Sequence, residues 1–495
     1  MIPYLEKVMH RHCKNLTPSN LKIVNFILIV LTLLIIYPGL VFGQKTMGLI
    51  KIKKGSTPNG YILFAPLYSK TTYLINKCGK PVNVWKSDRL PAYSAYLLQD
   101  GSLLRTGVAS DSFFRFSGKG GILEKFDWNG NLVWSFKISN DSLAQHHDIR
   151  PMDNGNILVI AWHGIPTGKA ETSGRLPGTV GGPYLASERI IEIQPIGTNE
   201  AKVVWQWSLW DHIAQDIDSS KPNYCKISDH PELFNLNYKV GLPDWIHLNG
   251  IDYNKELDQI ILSTHQKSEI WIIDHSTTTA EAASHKGGKY GKGGDLLYRW
   301  GNPEAYDNGT REDKKLFRQH NPQWIPKGMK DGGNIIVFNN GAERDPFSSS
   351  VDIISPPQTK PGFYKQTKPF GPKEAKWTYK DSIPSRFYAY HISGAQRLSN
   401  GNTLICNGVE GKFFEINSKN KTVWEYINPV ANGDTILTDG NKPEKNKVFR
   451  CTYYSPSYGA FKNRIITEGQ PIEKNPLPCD CNLPKEKKFI IFRRK

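Results

Sequence analysis

A short apolar segment that follows a Gly, Asn or Asp turn recurs along the chain. Five copies contain a glycine, and a sixth, LDQIILST from Leu257, lacks it. The five are NGYILFAP from Asn59, DGSLLRTG from Asp100, NGNILVIAW from Asn154, GGNIIVFNN from Gly332 and NGNTLICNG from Asn400. Apolar runs of this length behind turn residues predict β-strands.

Each copy is followed by a second apolar segment and then by a third that ends at a tryptophan. The second segments begin at Thr72, Gly121, Arg189, Glu269, Ser350 and Phe413. The tryptophans are Trp85, Trp134, Trp205, Trp300, Trp377 and Trp424. A further candidate strand precedes each turn, so the repeating unit has four strands.

Six such units in tandem predict an all-β fold, a six-bladed β-propeller with four-stranded blades. The tryptophans are expected at equivalent blade positions, packed between neighbouring blades. A β-sandwich or jelly roll is the alternative, but it would not explain six similar units in register. Loop and helix insertions at Trp207–Pro243, His275–Gly294 and Pro356–Arg386 are expected on one face.

The N-terminus has the pattern of an export signal. A region with four basic residues precedes the apolar run Phe26–Tyr37, and the small residue Gly43 offers a cleavage point. Residues 1–43 are therefore predicted to be a removed signal peptide, with an uncleaved membrane anchor as the alternative. The expected location is bacterial, periplasmic or secreted, with no membrane span after signal removal. Residues 44–430 are predicted to form the catalytic propeller, and residues 431–495 a C-terminal extension that packs on it and ends in a basic tail.

Composition and charge narrow the class of partner. The 43 glycines, 32 prolines and 13 tryptophans suit many short strands joined by turns. The net charge of +17 is carried by scattered residues, without an Arg-rich arm or zinc-finger spacing, so nucleic acid is not expected as a partner. Small anionic substrates, an anionic surface or solubility explain the charge better. The cysteines show no disulfide framework, and the close pair Cys479 and Cys481 suggests no chemistry.

Histidines recur where the innermost strands of a propeller would begin. They stand in the strings HHD, DWIHLNG, RQHNPQW and YAYHISGAQ, as His146, His147, His247, His320 and His391. Because innermost strands line one channel, these side chains are expected to converge. Each could instead be a structural histidine, and a cluster could bind zinc or copper, although no Glu ligands or His-x-His pair accompany them. Arg344, on a turn after the fifth repeat, is a candidate anion clamp.

These strings, with IWIIDHSTTTAEAASHKGG and FNNGAER, resemble bacterial aryl-sulfate sulfotransferases from about Gly48 to Tyr453. That family is a six-bladed periplasmic propeller that moves a sulfuryl group between phenols without a nucleotide donor. The resemblance implies that His391 is the nucleophile and that His247, His320 and Arg344 hold the sulfate. We also expect His147 and Asn249 to contact substrate, with His147 a candidate acid or base, and we expect no metal or cofactor.

This sequence departs from the family pattern in two places. Ser349-Ser350-Val351 stands where many members have Ser-Arg. The predicted first blade begins so close to the predicted signal that we do not expect the N-terminal β-sandwich through which some members dimerise. The oligomeric state and the acceptor phenol are therefore open. Sulfuryl transfer through a sulfohistidine, with an aryl sulfate donor and a phenol acceptor, is the predicted function. A non-catalytic ligand-binding propeller and an aryl sulfate hydrolase are the alternatives.

Overall fold

The computed structural model describes residues 45–110, 113–438, 440 and 443–476. The predicted signal peptide, the basic tail and the Cys479–Cys481 pair lie outside the described residues. The described chain is mostly β, with six four-stranded blades arranged in a ring as a six-bladed β-propeller. The predicted fold class is therefore confirmed.

Each blade is an antiparallel sheet that runs from an inner strand to an outer one. Blades 1 to 3 consist, from the inside out, of Val448–Tyr454, Tyr61–Pro66, Thr71–Asn76 and Pro81–Lys86; Pro91–Leu97, Leu103–Val108, Gly121–Phe126 and Leu132–Lys137; and Leu143–Pro151, Ile157–Pro166, Tyr184–Ile196 and Glu200–Ser208. Blades 4 to 6 consist of Leu248–Asn254, Gln259–Thr264, Glu269–Asp274 and Tyr298–Trp300; His320–Trp324, Ile335–Asn339, Ser350–Ile354 and Trp377–Tyr379; and Gly394–Arg397, Thr403–Asn407, Lys412–Ile416 and Thr422–Ile427.

Strands from the early and the late part of the described chain close the ring. The late strand Val448–Tyr454 pairs with Tyr61–Pro66 and is the innermost strand of blade 1. The early strand Gly48–Ile52 pairs with Thr422–Ile427 as a fifth, outermost strand of blade 6. Pairing chain ends in this way covers strand edges that would otherwise be exposed. The propeller therefore continues beyond residue 430, and the predicted boundary there is corrected: part of the expected extension is a strand of the fold.

The apolar runs are explained by burial of both faces of each blade. In the described chain, a separate hydrophobic core fills each of the six junctions between neighbouring blades, and a smaller cluster surrounds Phe114 and Trp162. Ile260 and Leu262 pack in the junction with blade 3, whereas Ile261 between them packs in the junction with blade 5. Because alternate side chains enter different cores, these strands contain consecutive apolar residues instead of alternating ones.

All six predicted tryptophans lie on the fourth strands. Trp134, Trp205, Trp377 and Trp424 pair near the end of the third strand, whereas Trp85 and Trp300 pair near its start, so the predicted equivalence of position holds in four blades and is wrong in two. Five of their indoles donate to the next blade, at or beside the connection between its third and fourth strands. The pairs are Trp85 with Asp127 O, Trp134 with Glu200 O, Trp205 with Thr277 Oγ1, Trp300 with Pro372 O and Trp424 with Lys77 O, at 2.7–3.2 Å. Trp377 differs, because it is only half-buried and lies under the guanidinium of Arg397.

The insertions leave the blades at both ends of the strands, so the prediction that they share one face is wrong. The segment after Ser208 joins two blades, and the connections after Asp274 and Ile354 join third to fourth strands, which places them at the opposite ends of antiparallel blades. They contain two small sheets, Ile213–Ala214 with Phe234–Asn235 and Gln358–Lys360 with Phe363–Tyr364. In the part of the chain that the structure describes, the helices are Thr167–Thr172 and Thr279–Ala282, with 3-10 turns at Leu209–His212, Ile227–Asp229, Pro303–Tyr306, Arg311–Asp313, Pro384–Arg386, Gly408–Glu410, Asn432–Asp434 and Gly459–Phe461. Within the described ranges, no helix is long and apolar enough to cross a membrane.

Candidate active site

The inner strands are kinked at one level of the channel. In five blades the ladder between the first and second strands is interrupted there. Residues with left-handed backbone lie at the same level, among them Tyr93 (φ 88°), His147 (φ 49°), His247 (φ 56°), Asn321 (φ 55°) and Ile392 (φ 50°). Such bulges re-aim side chains, and strained non-glycine backbone gathers at functional sites.

The kinks bring six aromatic rings into a closed circle, which we call the channel ring. Its members are Tyr93, His147, His247, His265, His320 and Phe449. Neighbouring ring centroids are separated by 5.2, 4.5, 5.1, 5.9, 6.4 and 5.1 Å around that circle. The rings come from blades 1 to 5, so the predicted convergence of histidines from separate repeats is observed.

His247 is the channel-ring member that favours a positive charge. Its Nδ1 lies 2.5 Å from Asp244 Oδ2, and Trp162 Nε1 donates to the other oxygen of Asp244 at 3.2 Å. Burial disfavours the charged imidazole, but attraction to Asp244 and the hydrogen bond between them outweigh it and raise the pKa of His247. His247 is thus suited to hold an anionic oxygen or to give up a proton.

His147 is connected to a buried chain of titratable groups. Its Nδ1 lies 2.9 Å from His146 Nδ1, and His146 Nε2 lies 2.8 Å from Glu188 Oε2. Burial and the nearby Asp244 raise the pKa of Glu188 well above its usual value. Burial and the charge of His247 keep the pKa of His147 well below its usual value. This chain can carry a proton between Glu188 and His147, which suits an acid or base role.

His320 uses both ring nitrogens inside the protein. Its Nδ1 is 2.8 Å from Asn340 Oδ1, and its Nε2 accepts the backbone N–H of Ile392 at 3.2 Å. Burial lowers the pKa of His320 to about 3, so the ring is neutral. In this structure His320 therefore fixes the backbone next to His391, and neither nitrogen is left for a sulfuryl oxygen.

His391 stands beside the channel ring and is neutral. Burial, followed by the charge of Lys447, lowers the pKa of His391 to about 4. Its Nδ1 is buried and has no hydrogen-bond partner among the described residues. A neutral imidazole with an unpaired nitrogen meets the requirements of a nucleophile.

Ser393, the nearest hydroxyl along the strand, is less suited to attack a substrate. It is fully buried, and its Oγ accepts the backbone N–H of Gly408 at 3.0 Å. The hydroxyl also donates to the carbonyl oxygen of His391 at 3.4 Å. Ser393 therefore supports the turn that carries His391.

Two arginines lie near this end of blade 5. Arg344 donates from Nη1 to Ser348 O and from Nη2 to Ser350 Oγ, both at 2.9 Å, so its own loop holds the guanidinium. Arg318 instead lies close enough for its charge to disfavour protonation of both His247, whose pKa is nevertheless raised overall, and His265, and its Nε donates to Glu343 Oε1 at 2.8 Å. The arginine whose charge reaches the channel-ring histidines is thus Arg318.

Asn249 lies below the channel ring and is fully buried. Its Nδ2 donates to Gln319 O at 2.8 Å, which ties blade 4 to blade 5. Deeper in the channel, Arg450 binds both oxygens of Asp148 at 2.6 and 2.7 Å. Both side chains of this ion pair are buried, and the pair joins blade 1 to blade 3.

Four residues that the sequence analysis missed belong to this site: His265, Tyr93, Phe449 and Arg318. His265 follows the second strand of blade 4, and in an antiparallel hairpin that position adjoins the start of the first strand, so it could have been found. Arg318 stands two residues before His320 and was equally visible. Tyr93 and Phe449 replace histidine in blades 2 and 1 and give no histidine signal.

Fold and site together define a six-bladed β-propeller whose channel brings the neutral imidazole of His320 close to His247, an imidazole with a raised pKa. A family model described as Arylsulfotransferase (ASST) matches residues 98–458, and the chain belongs to that family. Membership supports an aryl sulfotransferase function in general and implies small-molecule substrates.

Other comparisons add little about function. No curated protein matches the chain. A protein of unknown function from Bacteroides caccae is similar at 12% identity over 80% of this chain and 99% of that one, with a TM-score of 0.43. The periplasmic gluconolactonase PpgL of Pseudomonas aeruginosa is similar at 9% identity over 80% and 99%, with a TM-score of 0.40. At these scores the likenesses carry no argument about activity.

Proposed function

We propose that this protein transfers a sulfuryl group from a phenolic sulfate ester to a phenol through a sulfohistidine at His391, in the bacterial periplasm or outside the cell. The observation that carries the proposal is the neutral His391, with its unpaired Nδ1, beside His320 and His265 of the channel ring, in a family member whose channel ring also contains His247 with a raised pKa. Transfer in two displacements matches one nucleophile that serves donor and acceptor in turn.

In the first displacement a nitrogen of His391 attacks sulfur, the bond between sulfur and the aryl oxygen breaks, and a phenol leaves with a proton from an acid. His247 or the Glu188–His146–His147 chain supplies that proton. In the second displacement, the acceptor phenol attacks sulfur and the nitrogen–sulfur bond breaks. The proton of that phenol passes to the group that acted as the acid in the first displacement. His247 and Arg318 offer positive charge to the sulfuryl oxygens, where one well-placed donor contributes about 3 kcal/mol.

The surroundings of His391 suit an aryl group. The ring of Tyr390 lies 4.2 Å from the ring of His391, and Phe347 stacks on Tyr388 at 5.5 Å with 15° between the planes. Tyr390 and Phe347 are exposed. Aromatic faces of this kind stack favourably with a phenol.

The experiment is turnover of an aryl sulfate with and without a second phenol. Enzyme and donor alone should release one phenol per site in a burst, and added acceptor should restore fast, ping-pong turnover. His391→Ala should abolish the burst, while Ser393→Ala should keep it. Mass analysis of the trapped intermediate should place the sulfate on His391.

The same assay separates the competing functions. Steady release without acceptor would make the protein a hydrolase, and no release at all would favour a non-catalytic binding propeller. Sulfate found on Ser393 would overturn the nucleophile. His247→Ala and Arg318→Ala should each lose about 10²–10³-fold in kcat/KM. Arg344→Ala should match them only if substrate frees Arg344 from Ser348 and Ser350.

A further inference from the structure

Three potential metal ligands meet outside the channel, where two insertions touch. His212 ends the turn Leu209–His212 that follows blade 3, and His285 and Asp295 lie in the insertion between the third and fourth strands of blade 4. The Nδ1 atoms of both histidines lie 2.8 Å from the same oxygen, Asp295 Oδ1. Among the described residues, no other set of three His, Cys, Asp or Glu side chains brings its ligand atoms so close.

The partner of His212 Nε2 leaves Nδ1 as the nitrogen that can bind a cation. His212 Nε2 lies 2.9 Å from the carbonyl oxygen of Ala282. A carbonyl only accepts, so Nε2 carries a hydrogen. Nδ1 and Asp295 Oδ1, 2.8 Å apart, must therefore share either a proton or a metal cation. A backbone carbonyl on the second nitrogen is also the partner that orients metal-binding histidines.

The surrounding structure holds these ligands in place. His212 is fully buried and stacks on Trp207, with 6° between the rings, and Trp207 donates to the carbonyl of Gly294 at 2.8 Å. A Cβ atom at Gly294 would come 2.5 Å from His212 Nε2, so only glycine permits this segment to lie so close to His212. The helix that supplies Ala282 O is fixed by a capping box from Thr278 to Glu281.

We propose that His212, His285 and Asp295 bind a Zn²⁺ ion that joins the two insertions. Two imidazoles and a carboxylate are a zinc donor set. Tetrahedral zinc keeps its ligand atoms about 3.4 Å apart, so the present 2.8 Å contacts need to open only slightly. The side chain of His285 is 61% exposed, which leaves room for water in the fourth position. The ion acts on stability and takes no part in sulfuryl transfer.

The test uses protein produced without a polyhistidine tag, stripped with EDTA and then given Zn²⁺ alone. One zinc per chain should remain after desalting, and zinc should raise the Tm. His285→Ala removes an exposed ligand without opening the core, and it should weaken zinc affinity by at least about tenfold. Asp295→Asn keeps the shape of the side chain and should lose the zinc-dependent rise in Tm.

Two variants serve as controls. His230→Ala removes an exposed histidine that pairs with Glu232 in the same insertion, and it should bind zinc like the parent protein. His391→Ala should also keep one zinc, which excludes the channel as the binding site. The proposal is overturned if the parent takes up no zinc at micromolar free metal. It also fails if His285→Ala retains full affinity or if His391→Ala loses the ion.

Discussion

At the scale of single residues, the channel shifts the pKa values of two of its imidazoles in opposite directions. Asp244 raises the pKa of His247, whereas burial and Lys447 lower the pKa of His391 to about 4. The proposed mechanism needs neutral His391 and protonated His247. It should therefore rise with pH through about 4 and fall as pH passes the raised pKa of His247.

The prediction at this scale concerns Asp244→Asn. Without the carboxylate the pKa of His247 falls, so the alkaline limb of the kcat/KM profile should move to lower pH by about one unit or more. The acid limb, set by His391, should stay in place. Lys447→Gln is the matched control, because it should move the acid limb upward and leave the alkaline limb unchanged. An alkaline limb at the parental pH in Asp244→Asn would exclude His247 as the charged group.

At the scale of the elements, the junctions between blades depend on a repeated contact of the fourth-strand tryptophan. Trp424 is fully buried and donates to Lys77 O at 2.7 Å, which joins blade 6 to blade 1. In the described chain Trp377 makes no such bond and is half-buried. The same position of the repeat is therefore fully buried and bonded to the next blade at Trp424, and half-buried without that bond at Trp377.

That difference predicts unequal effects of one substitution. Trp424→Phe leaves a buried carbonyl without its donor and removes packing volume, so the free energy of unfolding should fall by about 2–4 kcal/mol. Trp377→Phe should cost about 1 kcal/mol or less. Urea denaturation of both variants checks this. Equal losses would mean that the indole bond between blades contributes nothing measurable.

At the scale of the whole molecule, the ring is closed by a strand from the far end of the chain. Arg450 on that strand pairs with Asp148 of blade 3, and both side chains are buried. The contact joins the closing strand to a blade across the channel. Its loss would leave an unpaired buried carboxylate.

We therefore expect Arg450→Met to lower the free energy of unfolding by about 3–5 kcal/mol. Arg450→Met combined with Asp148→Asn should recover part of the loss, because the second change removes the unpaired charge. Arg464→Met alters an exposed arginine of the same terminal segment and should cost about 0.5 kcal/mol at most. Denaturation of the parent, Arg450→Met, Asp148→Asn and the double variant gives the coupling energy. Additive losses would show that the pair does not contribute to closure.

The sequence by itself determined the parts of this protein that repeat. A turn, an apolar run and a tryptophan are local signals, and six copies in order define six blades and the strand starts where His147, His247, His320 and His391 stand. Family motifs added the expected chemistry, and the family is confirmed. These inferences succeed because each depends on a few neighbouring residues.

Only the tertiary structure decided how those residues are used. The bonds to both nitrogens of His320 join residues that are distant in sequence, and so does the pairing of Val448–Tyr454 with blade 1. The bond that holds Arg344 in its own loop depends on the rotamer of that side chain. Tyr93 and Phe449 complete the channel ring although neither matches the histidine pattern. Position along a strand places a side chain at a given level, but the partners that fix its charge and direction come from other blades.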